Sequence, residues 1–150
     1  MVRASQKRGR TVKAPPEVLK LTRRMTALFR ERMEEQLRPL GITAAQLQLL
    51  AALTKAPGTS GAHISRICEV TPQTTHALLA AAEDRGWIRR SPDPENVHTL
   101  LATLTPLGLR VFSKGRRIAI KLQAQMLRTL SAGEIHQLES VLMQLIENLG

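Results

Sequence analysis

A helix with a clear signal at each end constrains this chain most. Thr71 offers a capping hydroxyl, and Pro72 fills the first helical position, where a missing amide costs nothing. About four turns later the segment Glu83-Asp84-Arg85 stops at Gly86. Trp87-Ile88-Arg89-Arg90 then reads as a short strand and Leu100-Leu101-Ala102-Thr103-Leu104 as a second one. Thr105-Pro106 repeats the cap-plus-proline start and opens a further helix. The outline is helix, strand, turn, strand, helix.

The same signals extend in both directions. A first helix is expected from about Pro16 to Leu37, where Val18, Leu21, Met25, Leu28, Phe29 and Leu37 recur at three- and four-residue spacing opposite a face of Arg and Glu. Pro39-Leu40-Gly41 ends it. Thr43-Ala44-Ala45-Gln46 has the form of a capping box, opening a helix with Leu47, Leu50, Ala51 and Leu53 inside, which Pro57-Gly58 breaks. Ser60 is the expected cap of a short third helix with Ile64 and Ile67 facing inward, and after Glu69-Val70 the fourth sends Leu78, Leu79 and Ala82 to the core. Two short helices joined by such a turn, followed by a hairpin, make a winged helix-turn-helix, expected over residues 41–105.

Beyond it, Val111, Gly115, Ile118, Leu122 and Met126 hold a stripe to about Arg128, and Ser131-Ala132-Gly133-Glu134 is a second capping box. The last helix carries Ile135, Leu138, Leu142, Leu145 and Leu149, widened by Val141 and Ile146. One small domain cannot easily cover these stripes, so residues 15–40 and 106–150 read as dimerisation helices. The expected fold class is mainly α with a small β-hairpin wing, a single domain over residues 15–150.

Charge points to an anionic partner. The 150 residues carry a formal net charge of +10, with a pI near 11.2. Arg3, Lys7, Arg8, Arg10 and Lys13 crowd the first thirteen residues without an acid among them, so residues 1–14 read as a disordered basic arm able to hold phosphates. A single cysteine, Cys68, excludes an internal disulfide framework and fits a reducing cytoplasm, as does the lack of a membrane-length apolar run. Cys68 itself reads as a small buried hydrophobe and Trp87 as a core plug. His63, His76, His98 and His136 form no pair at helical metal-site spacing, so no metal or other cofactor is expected. Glu31, Glu34 and Glu35 lie among arginines, no nucleophile has an evident base, and no glycine-rich phosphate loop is present: the sequence does not read as an enzyme.

With these elements in order, the chain resembles the MarR (multiple antibiotic resistance) family of transcription regulators over about residues 17 to 149. The resemblance rests on the Leu47 to Leu53 helix before Pro57-Gly58, on Val70-Thr71, and on Glu83 through Arg90. It continues in Pro92-Asp93-Pro94 and Leu104-Thr105-Pro106-Leu107-Gly108. It implies a homodimeric repressor built on its first and last helices, which binds a pseudo-palindromic duplex site. It also implies a small lipophilic or aromatic effector in a cleft that Met25, Phe29, Leu50, Val111 and Phe112 could line.

The departures fall on the reading surface. Relatives usually carry Asp-x-Arg at the wing; here those positions hold Asn96 and His98. From Pro72 to Ala82 the fourth helix has no Lys or Arg, and its outward candidates are Gln73, Thr74, His76, Ala77 and Ala80. Gln pairs bidentately with adenine, and Thr or Ala methyls meet the thymine methyl, which favours A·T-rich half-sites. Arg66, Arg89 and Arg90 are left to contact phosphates. A dimeric protein-interaction or ligand-binding adaptor with weakened DNA reading is the alternative, distinguished by whether the surface around Gln73, Ala77 and Ala80 is basic or an apolar patch.

Overall fold

The computed structural model describes residues 17–150. The basic arm of residues 1–14 and the expected helix start at Pro15-Pro16 lie outside the described residues. Six α-helices are placed: α1 (Glu17–Leu37), α2 (Ala44–Lys55), α3 (Gly61–Cys68), α4 (Pro72–Asp84), α5 (Pro106–Leu127) and α6 (Ala132–Glu147). A 3-10 turn, Arg38–Leu40, follows α1, and three strands, β1 (Thr59–Ser60), β2 (Ile88–Pro92) and β3 (Leu100–Leu104), form an antiparallel sheet in the order β1-β3-β2.

The caps fall where the side chains predict them. Thr43 and Ser131 each close a reciprocal box, with Gln46 and Glu134 respectively. Ser60, Thr71 and Thr105 accept from the amides of His63, Thr74 and Gly108. Each such cap is worth about 1 kcal/mol. Helix α4 ends in a Schellman motif: Trp87 N–H donates to the Ala82 carbonyl at 2.9 Å and Gly86 N–H to the Glu83 carbonyl at 2.8 Å. Gly86 sits at φ +69, so it alone of the nearby residues meets the turn without strain.

The core lies under α2. Leu49, Leu50 and Leu53 are essentially inaccessible, packed with Leu37 of α1, Ile64 of α3, Leu79 and Ala82 of α4, and Trp87 and Ile88 at the start of the wing. Trp87 is thus the plug the sequence suggests, and the Arg85 guanidinium covers its ring 4.9 Å from the centroid while donating to the Gly41 carbonyl. Cys68 is buried and free, and that burial pushes its thiol up from the ordinary value.

Two expectations need correction. Ile67 faces solvent, 42% exposed, because the inner side of α3 is filled by Ile64, Ser65 and Cys68. The hairpin is also joined by a third strand: Thr59 pairs with Ala102 and Ser60 with Leu101, and Gly58 N–H donates to the Ala102 carbonyl at 3.1 Å. Two residues leave no alternation for a sequence pattern to register.

Helix α5 begins on the strand end. The Trp87 carbonyl accepts from Thr105 N–H at 2.9 Å, and the Thr105 hydroxyl bonds Gly86 O at 2.6 Å. One turn on, a Cβ at Gly108 would stand 1.9 Å from that carbonyl. Further along, a Cβ at Gly115 would stand 2.6 Å from Leu47 Cδ1, so α5 can lie close on α2. At the other end the packing runs out: α6 has no buried residue, and Leu138, Val141, Leu142, Leu145 and Ile146 are all at least 40% exposed. Val18, Leu21, Met25 and Leu28 of α1 are exposed as well.

Gly108→Ala is expected to destabilise the fold by about 3 kcal/mol, the upper part of the overpacking range, because the obstacle is backbone. Thermal unfolding at neutral pH checks this; an unchanged midpoint would mean that α5 does not seat on Trp87 as described.

Candidate nucleic-acid interface

Helices α3 and α4 are locked together by a buried pair of hydroxyls. Ser65 Oγ donates to the Gly61 carbonyl at 2.9 Å and lies 2.8 Å from Thr75 Oγ1, and both side chains are buried. The turn between the helices is tight: Glu69 adopts φ 53, and Val70 N–H reaches the Ser65 carbonyl at 3.1 Å. A non-glycine residue in that conformation costs roughly 1–2 kcal/mol. The surrounding contacts must hold it there.

This frame turns Gln73, Thr74, His76 and Ala77 to solvent, while Leu78 and Ala80 are half-buried and Thr75 and Leu79 face inward. The Thr74 hydroxyl is already engaged, 2.8 Å from that of Thr71, so its methyl is the freer group. No large hydrophobic side chain of α4 is exposed. The face is polar and carries no formal charge.

The charges stand around it. Arg66 is exposed on α3 and, with His76, borders a groove between α3 and α4 of about 560 Å³. Its Nη2 lies 3.4 Å from Nδ1 of His63. Guanidinium has no acceptor, so Arg66 donates and His63 presents a lone pair. Arg89 is exposed on β2. Arg90 is different: its Nε donates to Glu83 Oε2 at 2.7 Å, and its Nη2 meets the same oxygen. That hydrogen bond holds the Glu83 carboxyl below its ordinary value. The expected phosphate contact at Arg90 is therefore already neutralised by a partner on α4.

The wing tip is closed by its own side chains. Asp93 accepts from Glu95 N–H at 2.9 Å and Asn96 from His98 N–H at 3.2 Å, while Asp93 and Thr99 amides bond across the loop. Asn96 thus shapes the tip, leaving Val97, 73% exposed, and the exposed His98 as its outermost groups.

Of the cleft candidates, Phe29 and Phe112 line one cavity of about 790 Å³, with Met33 and Leu47 in its floor and Arg30, Lys55 and Arg116 around it. Met25 lines a second, of about 670 Å³, between α1 and α5. Leu50 is fully buried and, like the half-buried Val111, borders neither. Among the described residues no His, Cys, Asp and Glu cluster could hold a metal ion, and no helix is long and apolar enough to cross a membrane. His63 was given no role by sequence reasoning, although its three-residue spacing from Arg66 on a helix was the available signal.

Comparison with known proteins agrees with this architecture. The sequence model of the MarR family matches residues 40–96. The HTH-type transcriptional repressor Rv2887 of Mycobacterium tuberculosis is 30% identical over 122 residues, covering 81% of this chain and 88% of that protein. The multiple antibiotic resistance protein MarR of Escherichia coli is 25% identical over 115 residues, covering 76% and 80%. Among solved structures, a mutant E. coli MarR complexed with operator DNA superposes with a TM-score of 0.80 at 23% identity, covering 87% of this chain and 94% of that one. The PcaV regulator of Streptomyces coelicolor, in complex with its natural ligand, gives 0.73 at 18% identity over the full length of both chains.

The Glu83–Arg90 pair makes a prediction of defined sign. A carboxyl held low in the folded state stabilises above its unfolded value, ordinarily 4.5, and that contribution is lost as pH falls through the lowered folded value. Glu83→Gln should therefore lower the melting temperature near pH 7, and the gap from the parent should close below about pH 4. A gap that stays constant down to about pH 3 would show that the pair contributes nothing specific.

Proposed function

The chain belongs to the MarR family, and from that premise we propose that it is a sequence-specific, double-stranded DNA-binding repressor acting as a homodimer in the cytoplasm. It is not an enzyme in this reading: its relatives are transcriptional regulators. The observation that carries the proposal is the polar, uncharged face of α4, held outward by the Ser65–Thr75 lock and flanked by Arg66 and Arg89. Gln73, Thr74, His76 and Ala77 read base edges; Arg66, Arg89 and the basic arm hold phosphates; and the wing approaches a neighbouring groove through Val97 and His98, with Asn96 shaping its tip. Arg90 contributes only if phosphate competes successfully with Glu83.

The adaptor alternative needs an apolar docking patch on α4, and the exposed large hydrophobics lie elsewhere. They concentrate on α1, α5 and α6, which supports self-association there: a helix with no buried residue gains its stability from a partner. The cavity beside Phe29 and Phe112 suits a small effector with an apolar body and an anionic end, given its cationic border.

Selection of genomic fragments by the purified protein at about 150 mM salt tests the function. A two-fold symmetric site with half-sites about one helical turn apart is expected; recovery of only unrelated fragments, lost as salt rises, would remove sequence-specific repression. On the recovered site, Gln73→Ala should cost about 1–3 kcal/mol and relax preference at one position. A uniform loss across all sequences would take Gln73 out of base reading. Sedimentation at micromolar concentration should give twice the 16.6 kDa chain mass; a monomer would contradict the dimer.

A further inference from the structure

Two of the four histidines, His76 and His98, stand exposed on the surface assigned to DNA, and a third, the half-buried His63, meets Arg66 of that surface; a permanent cation at these places would serve simple affinity better. We propose that these three imidazoles make duplex DNA binding proton-coupled, so that the protein grips its site more tightly as pH falls from about 8 to about 6. The inference rests on the DNA-binding reading above and concerns the regulation of that same surface.

The geometry is most telling in the groove between α3 and α4. Arg66 Nη2 lies 3.4 Å from Nδ1 of His63, and Arg66 and His76 both line the groove. In the neutral state His63 accepts from Arg66 and helps orient it. A proton on that nitrogen would remove the acceptor and leave two donors side by side. A phosphate oxygen bridging the two groups converts repulsion into two charge-assisted hydrogen bonds. Binding a phosphate there and taking up a proton therefore favour one another.

Few other charges compete. Helix α3 packs on α2, α4, β1 and β3, whose formal charges are Lys55, Glu83 and Asp84, with Glu69 in the turn beyond α3. Glu83 is committed to Arg90, and both acids of α4 sit at its C-terminal end, about two turns from His76. Helix α4 packs in turn on α2, α3 and β2, and β2 adds Arg89 and Arg90. At the wing, His98 shares its loop with Asp93 and Glu95, Asp93 being occupied by the Glu95 amide, and the β3 strand it leads into has no charge. A protonated His98 thus becomes the cation of a wing tip that otherwise has none.

The sign follows from linkage. Each imidazole holds its proton more tightly beside phosphate than in the free protein. Proton uptake and DNA binding therefore strengthen one another, and the added affinity falls away as pH rises.

Fluorescence anisotropy at constant ionic strength tests this, with the duplex recovered by genomic selection and a scrambled duplex of equal length as probes. The expected result is a Kd at least about tenfold lower near pH 6 than near pH 8. The triple variant H63Q/H76Q/H98Q should lose most of that dependence, whatever its absolute affinity. Placing His76→Arg and His98→Arg on a His63→Gln background should also flatten the profile, with the charge at 76 and 98 now permanent. Tight binding by the parent with a flat profile would overturn the inference and leave the DNA-binding reading intact, as would a steep profile that survives in the triple variant. No binding of either duplex at any pH would overturn both.

Discussion

The junction at Trp87 fixes how the two halves of the molecule stand relative to each other. Its side chain plugs the core beneath α2, its amide closes the Schellman turn of α4, and its carbonyl accepts from the amide of Thr105, the cap of α5. Gly108 lets that helix start in contact with the carbonyl, and the Thr105 hydroxyl ties the same corner to Gly86. The end of the reading helix, the first strand of the wing and the long helix α5 therefore share one anchor. A displacement of α5 cannot leave α4 and the wing where they were.

Around that anchor, charge and sequence reading are separated. The outward face of α4 is built from Gln, Thr, His and Ala, while arginines stand on α3 and β2, and Arg90 of β2 is neutralised by Glu83. A charge-rich recognition helix binds any duplex well and must discriminate against a large background. Moving fixed charge off α4 lowers that background and leaves hydrogen-bond and methyl contacts to decide the site. Histidines in the remaining positions make the electrostatic contribution adjustable. The buried Ser65–Thr75 pair matters here because such short side chains tolerate little error in the position of the helix that carries them.

Much of this was legible in the sequence where the physics is local. The capping boxes at Thr43 and Ser131, the Thr-Pro starts at 71 and 105, and the glycine stop at 86 each depend on residues within one turn, and each falls where expected. What escaped is non-local. Strand β1 is two residues paired to a strand forty positions on, which no periodicity marks. A three-residue spacing from Ile64 predicts Ile67 inside, but the buried arc of α3 is centred on Ile64, Ser65 and Cys68 and leaves Ile67 at its edge. The loss of Arg90 to Glu83 joins a helix end to a strand, and Leu50 passed for a cleft residue because burial and cavity lining look alike in an apolar pattern. The DNA-facing candidates on α4 are brought together on one exposed face; Asn96 is exposed too, with its side-chain oxygen engaged by the His98 amide of its own loop.

The central claim, that uncharged groups on α4 carry discrimination while charges around it carry grip, is tested most directly by salt. Binding of the selected duplex and of a scrambled one would be measured against salt concentration near pH 8, where imidazoles are largely neutral. The account predicts two parallel lines of log K against log salt, separated by a constant gap, since both duplexes meet the same phosphate contacts. A gap that closes as salt rises would contradict it, because the preference would then reside in the charges.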